Sequence, residues 1–130
     1  MTDQKIINWN PVDNLSRSVF VENIVDNYEG LRILLKGKGQ NDKVLELFFS
    51  EKILYRNTNE SYFLRTIDNT GNDRSSPLAI VENSFLIKWL HEESYGVYQD
   101  EKIIHYLIFS GNDCIDVLSC TPPQVRWVSN

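Results

Sequence analysis

The chain predicts an α+β domain: mainly antiparallel β-sheet of about six or seven strands, with one main α-helix near residues 84–93. Three observations carry that reading. Short runs rich in β-branched and aromatic residues recur along the chain, short polar loops separate them, and one stretch alone places apolar residues at helical spacing. Strands that follow one another across short loops pair antiparallel, and the helix needed between successive strands of a βαβ dinucleotide fold is missing.

Taken in order, residues 6–9 form a short extended segment that stops at the Asn10-Pro11 turn. Residues 18–24 are β-branched and partly alternating. Residues 28–37 (YEGLRILLKG) read as a strand ended by Gly37, Lys38 and Gly39, and residues 43–50 read as the next strand. The polar loop between them makes the two an antiparallel hairpin. Residues 51–68 fit either a strand with a bulge or a broken helical turn, with Ile53, Leu54, Tyr55, Tyr62, Phe63, Leu64 and Ile67 as the apolar positions. Residues 68–77 contain only loop formers. The helix follows, with Asn83 or Ser84 as its cap, Phe85, Leu86, Trp89 and Leu90 as one apolar stripe, and Gly96 as its stop. Residues 102–110 and 114–118 form a second hairpin across Gly111, Asn112 and Asp113. After Pro122-Pro123, residues 125–128 are extended again, with Trp127 packed on the core.

Hydrophobic residues make up 42% of 130, which is enough for one core, and no repeat, low-complexity tract or linker divides residues 1–130. The apolar runs fall far short of the roughly 20 residues a membrane span requires, and the first residues lack the basic-then-apolar pattern of a secretory signal. A cytoplasmic protein is expected. Cys114 and Cys120 are six positions apart, too far for a disulfide along one strand without a sharp turn, so both read as free thiols.

The net charge of −5 is unevenly placed. Residues 82–116 hold seven acids (Glu82, Glu92, Glu93, Asp100, Glu101, Asp113, Asp116) against Lys88 and Lys102, which accounts for all of it. Such a surface steers a basic partner and repels nucleic acid, for which no basic stripe or stacking platform is present.

Catalytic signatures are weak. His91 and Glu92 point about 100° apart on a helix, the His-Glu-x-x-His zinc spacing is absent, and His105 lies on the strand face opposite Ile104 and Tyr106. Cys114 is flanked by Asp113 and Asp116, which oppose thiolate formation. No phosphate-binding loop occurs. The expectation is therefore a non-enzyme with no metal and no cofactor. Tyr55, Arg56, Tyr62, Trp89, Tyr95, Tyr98 and Trp127 include the residue types that dominate interfaces, and Tyr95 and Tyr98 flank Gly96 in an acidic loop. The candidate partner-binding set is Glu92, Glu93, Tyr95, Tyr98, Asp100 and Glu101.

The strings YEGLRILL at 28–35, YRNTNES at 55–61, VENSFLIKW at 81–89, HYLI at 105–108 and CIDVLS at 114–119 together resemble a group of small uncharacterised bacterial proteins of about this length. Some similar proteins are immunity proteins beside polymorphic toxins. The resemblance spans nearly the whole chain and brings no catalytic motif. It implies a cytosolic neutraliser that occludes a cognate toxin domain through its acidic surface, basic toxin domains being the best match. A small-molecule-binding or oligomeric structural domain is the alternative, and a small metal-dependent enzyme centred on His91, Glu93 and His105 ranks below both.

Overall fold

The computed structural model describes residues 4–39, 43–59, 76–111 and 113–129. Among them are nine strands and one helix: β1 Lys5–Asn8, β2 Val19–Asn27, β3 Gly30–Gly37, β4 Lys43–Phe49, β5 Lys52–Asn59, β6 Leu78–Glu82, α1 Phe85–Glu93, β7 Ile104–Ser110, β8 Asp113–Ser119 and β9 Gln124–Ser129. All pairings are antiparallel. The expected count of six or seven strands is therefore too low. One omission is β6, a short run directly after the polar loop. Of the ambiguous stretch 51–68, residues 52–59 are strand β5, with a register shift between Lys52 and Leu54. The rest, like most of the polar loop 68–77, lies outside the described residues.

Two sheets form, one in the order β1-β6-β7-β8-β5 and the other in the order β2-β3-β4-β9. Alternation explains how they meet. Leu31, Ile33 and Leu35 of β3 and Leu45, Leu47 and Phe49 of β4 are fully buried on one face. They share a core cluster with Leu78, Tyr106, Ile108, Ile115 and Val117 from the other sheet. The two sheets thus stack face to face, each hiding its apolar side against the other. Both expected hairpins are present, β3–β4 with Leu31 opposite Phe49 and β7–β8 with Tyr106 opposite Val117. Trp127 lies opposite Leu45 and packs on this core, as expected.

The β2–β3 turn differs from expectation. Tyr28 is no strand residue but a turn residue, 96% exposed, and the Asn27 side chain accepts a hydrogen bond from the Glu29 N–H at 2.9 Å. Gly30 closes the turn at φ 140°, where a Cβ would stand 2.5 Å from the Phe49 carbonyl oxygen and 2.9 Å from the Phe48 ring. Gly30→Ala is therefore expected to cost about 3 kcal/mol, combining backbone strain with displacement of β4. Urea denaturation measures it, and an unchanged midpoint would show that the turn yields freely.

Helix α1 lies on the outer face of the five-stranded sheet. Ser84 caps it, its Oγ accepting from the Ile87 N–H at 3.1 Å, and the Phe85 N–H donates to Gln4 Oε1 at 2.7 Å. Leu86 and Leu90 pack on Leu118, with Ile53 and Leu54 alongside. The expected four-residue stripe narrows to those two. Phe85 and Trp89, one position back around the helix, stay 46% and 47% exposed. A single helix on a sheet buries an arc of about 100°, too narrow to include both pairs fully.

Candidate functional site

The acidic stretch 92–101 is a tightly bonded series of turns. Tyr95 N–H donates to the Glu92 carbonyl and Gly96 N–H to the His91 carbonyl, which is the paired closure of a Schellman motif. The residue in the left-handed conformation at its centre is Tyr95, at φ 53°, followed by Gly96 at φ 76°. The helix stop is thus shared, where Gly96 alone was expected. Further turns follow through Val97 N–H to Ser94, Gln99 N–H to Gly96 and Glu101 N–H to Tyr98. A tyrosine held at positive φ costs about 1–2 kcal/mol, and here no burial offsets it, because Tyr95 is 97% exposed.

Of the six residues selected from sequence, five lie exposed on this segment: Glu92, Glu93, Tyr95, Asp100 and Glu101. Tyr98 is the exception. It turns inward and packs beside Leu86, Leu90 and Leu118, because the successive turns fold the chain back on α1. Val97 stands out instead, at 75% exposed. Sequence reasoning passed over Val97, and a β-branched residue after Gly96 among acids was the signal for it.

A second feature occupies the outer face of the five-stranded sheet. Register places Ile6, Val81, His105, Leu118 and Leu54 in one row across the five strands, and Asn8, Ala79, Leu107, Asp116 and Arg56 in the next. Four side chains link these rows to the helix. Ser84 Oγ lies 2.7 Å from His105 Nδ1, His105 Nε2 lies 2.6 Å from Asp116 Oδ1, and Arg56 Nε donates to Asp116 Oδ2 at 2.9 Å. The neutral histidine with its proton on Nε2 satisfies every atom: Ser84 accepts from Ile87 and donates to Nδ1, and Asp116 accepts from both neighbours. Ser84, His105 and Asp116 are all buried, at 5%, 4% and 1% exposed. The serine hydroxyl is the helix cap and belongs to no accessible nucleophile.

Above this floor runs a cleft of about 670 Å³. Phe85, Leu86 and Trp89 of α1 form one wall, and Ile6, Val81, Leu107, His105, Asp116 and Arg56 line the sheet side. His105 was expected to face away from Tyr106, and it does. Its two ring nitrogens are both engaged, however, so a site joining His91, Glu93 and His105 does not form. Among the described residues, no group of three His, Cys, Asp or Glu side chains is placed to hold a metal ion. The chain matches no protein-family model, no curated protein and no solved structure. No helix of the described residues is long and apolar enough to cross a membrane.

Cys114 is buried and Cys120 partly so, and neither is in a disulfide. Burial pushes the Cys120 thiol above its usual 9.0, and Glu101 and Glu51 nearby raise it further, while burial raises Tyr106 above 10.0. Both groups hold their proton longer when folded than when unfolded. Stability is therefore complete below about pH 9 and falls above it, first as unfolded Cys120 and then as unfolded Tyr106 ionises. Unfolding free energies measured upward from neutral pH test this. Cys120→Ser is expected to delay the onset toward the tyrosine range.

Proposed function

We propose that this protein is an immunity-type binding protein that neutralises a toxin domain by covering it with the tip formed by the end of α1 and the turns after it. The carrying observation is the pairing of Tyr95 and Val97, 97% and 75% exposed, with four exposed acids, Glu92, Glu93, Asp100 and Glu101, in one hydrogen-bonded segment. Exposed aromatic and aliphatic anchors inside a charged rim are how compact protein interfaces are built. The acids attract a basic partner and speed encounter. The bonded turns hold the anchors in place before binding, which lowers the ordering cost. Strain at Tyr95 fits a side chain retained for contact rather than for packing. We assign the protein to the cytoplasm, a reading supported by two cysteines that form no disulfide.

Recovery of partners on the tagged protein from its native host at low salt tests the proposal. A single stoichiometric basic partner is expected, lost on Tyr95→Ala combined with charge reversal at Glu92, Glu93 and Asp100. Adding salt is expected to slow association several-fold while changing dissociation little. A partner that binds the reversed variant unchanged would place its docking surface elsewhere.

A further inference from the structure

The cleft along α1 shares no residue with the acidic tip, and its volume of about 670 Å³ is in the range that receives metabolite-sized ligands. Phe85 and Trp89 stand four residues apart on the helix, about 6 Å along its axis, so their half-exposed rings make one wall. Opposite them Ile6 and Val81, paired across β1 and β6, and Leu107 of β7 make an apolar floor. The ionic groups beside this slot are already committed to one another. Among the described residues that line it, the charged side chains are Arg56 and Asp116, which neutralise each other at 2.9 Å. The second Asp116 oxygen holds His105, whose other ring nitrogen holds Ser84. A charged ligand entering here gives up its water and meets no opposite charge in excess, so anions and cations are both disfavoured. One polar group is left to orient a neutral ligand. Gln4 lines the same cleft, and its Oε1 accepts from the Phe85 N–H at 2.7 Å. That bond fixes which way round the amide sits, so Nε2 remains to donate to a hydrogen-bond acceptor.

We propose that this cleft binds an uncharged, flat, fused-ring compound with a carbonyl acceptor, its rings between the Phe85–Trp89 wall and the Val81–Leu107 floor and its oxygen toward Gln4. The rings cover two aromatic side chains that the fold leaves half exposed, and the carbonyl accepts from Gln4 Nε2.

The test titrates the full chain with three probes of one shape, substituted at the same ring carbon: acetylnaphthalene, its anionic isostere naphthoate and its cationic isostere naphthamidinium. Heat and tryptophan fluorescence are the readouts. Saturable one-to-one binding of the ketone is expected, at least about ten-fold tighter than either ion. Naphthalene itself, which has no acceptor, is expected to bind several-fold more weakly than the ketone. Trp89→Ala is expected to weaken the ketone about ten-fold, read by heat, whereas Tyr95→Ala on the acidic tip leaves it unchanged. Absence of saturable ketone binding by the unmodified chain overturns the proposal, as does either ion or naphthalene binding as tightly as the ketone. All of those results are read on the unmodified chain, so they stand even if Trp89→Ala fails to fold.

Discussion

Replacing Asp116 by alanine is expected to lower stability by about 3 kcal/mol, because the change strands a buried histidine rather than merely deleting a surface charge. Asp116 is 1% exposed and accepts from His105 at 2.6 Å and Arg56 at 2.9 Å. The two donors suffer unequally. Arg56 is half exposed and regains water, so its lost ion pair counts for little. His105 is 4% exposed and keeps an N–H with nothing to receive it, at about 1–3 kcal/mol. The disturbance reaches the helix through Ser84, which holds the other histidine nitrogen at 2.7 Å. Asp116→Asn retains the volume and one acceptor oxygen, and its expected cost is about half as large. Urea unfolding monitored by circular dichroism checks both, with the midpoint falling and the slope unchanged. Equal stability of the alanine variant and the parent would mean that the buried chain contributes nothing to the fold.

Phe49→Ala is expected to cost about 3–5 kcal/mol, the range for emptying an aromatic site in a packed core. Phe49 is fully buried at the end of β4 and stands edge-on to Tyr106, ring centres 5.3 Å apart. Tyr106 in turn stacks at a tilt on Trp9, at 5.1 Å. The three rings join the two sheets with the segment after β1, so the loss combines burial with aromatic contacts that the smaller side chain cannot replace. Phe49→Leu refills much of the space and is expected to lose about 1–2 kcal/mol. The near-ultraviolet dichroism of Trp9 and Tyr106 reports the local disorder directly. Tyr28→Ala is the matched control, since Tyr28 is 96% exposed and its removal is expected to change stability by under about 0.5 kcal/mol.

The elements read from sequence were those with a local signature. Helix α1, its cap at Asn83 or Ser84, of which the structure uses Ser84, and the β3–β4 and β7–β8 hairpins follow from side-chain spacing and turn residues within a few positions. Strand β6 escaped because it is interior to its sheet, between β1 and β7. Leu78, Ala79 and Val81 are buried, so its residues show no alternation to read. Tyr98 was misplaced for a related reason. Its exposure depends on how four successive turns fold back on α1, and an acidic neighbourhood says nothing about that.

His105 marks the boundary most clearly. Alternation alone assigned it to the face opposite Tyr106, and that much was correct. Its partners lie 21 and 11 residues away, and Arg56 reaches Asp116 across 60. By itself the sequence determined most of the segments that become strands or helix, though not β6 or the state of β5, because periodicities of two and 3.6 residues are properties of a short stretch of chain. Only the tertiary structure decided the division into two stacked sheets, the buried chain from Ser84 to Arg56 and the cleft above it. Each of those depends on which strands become neighbours, and strand order is set by closing long loops around a shared core rather than by any local run of residues.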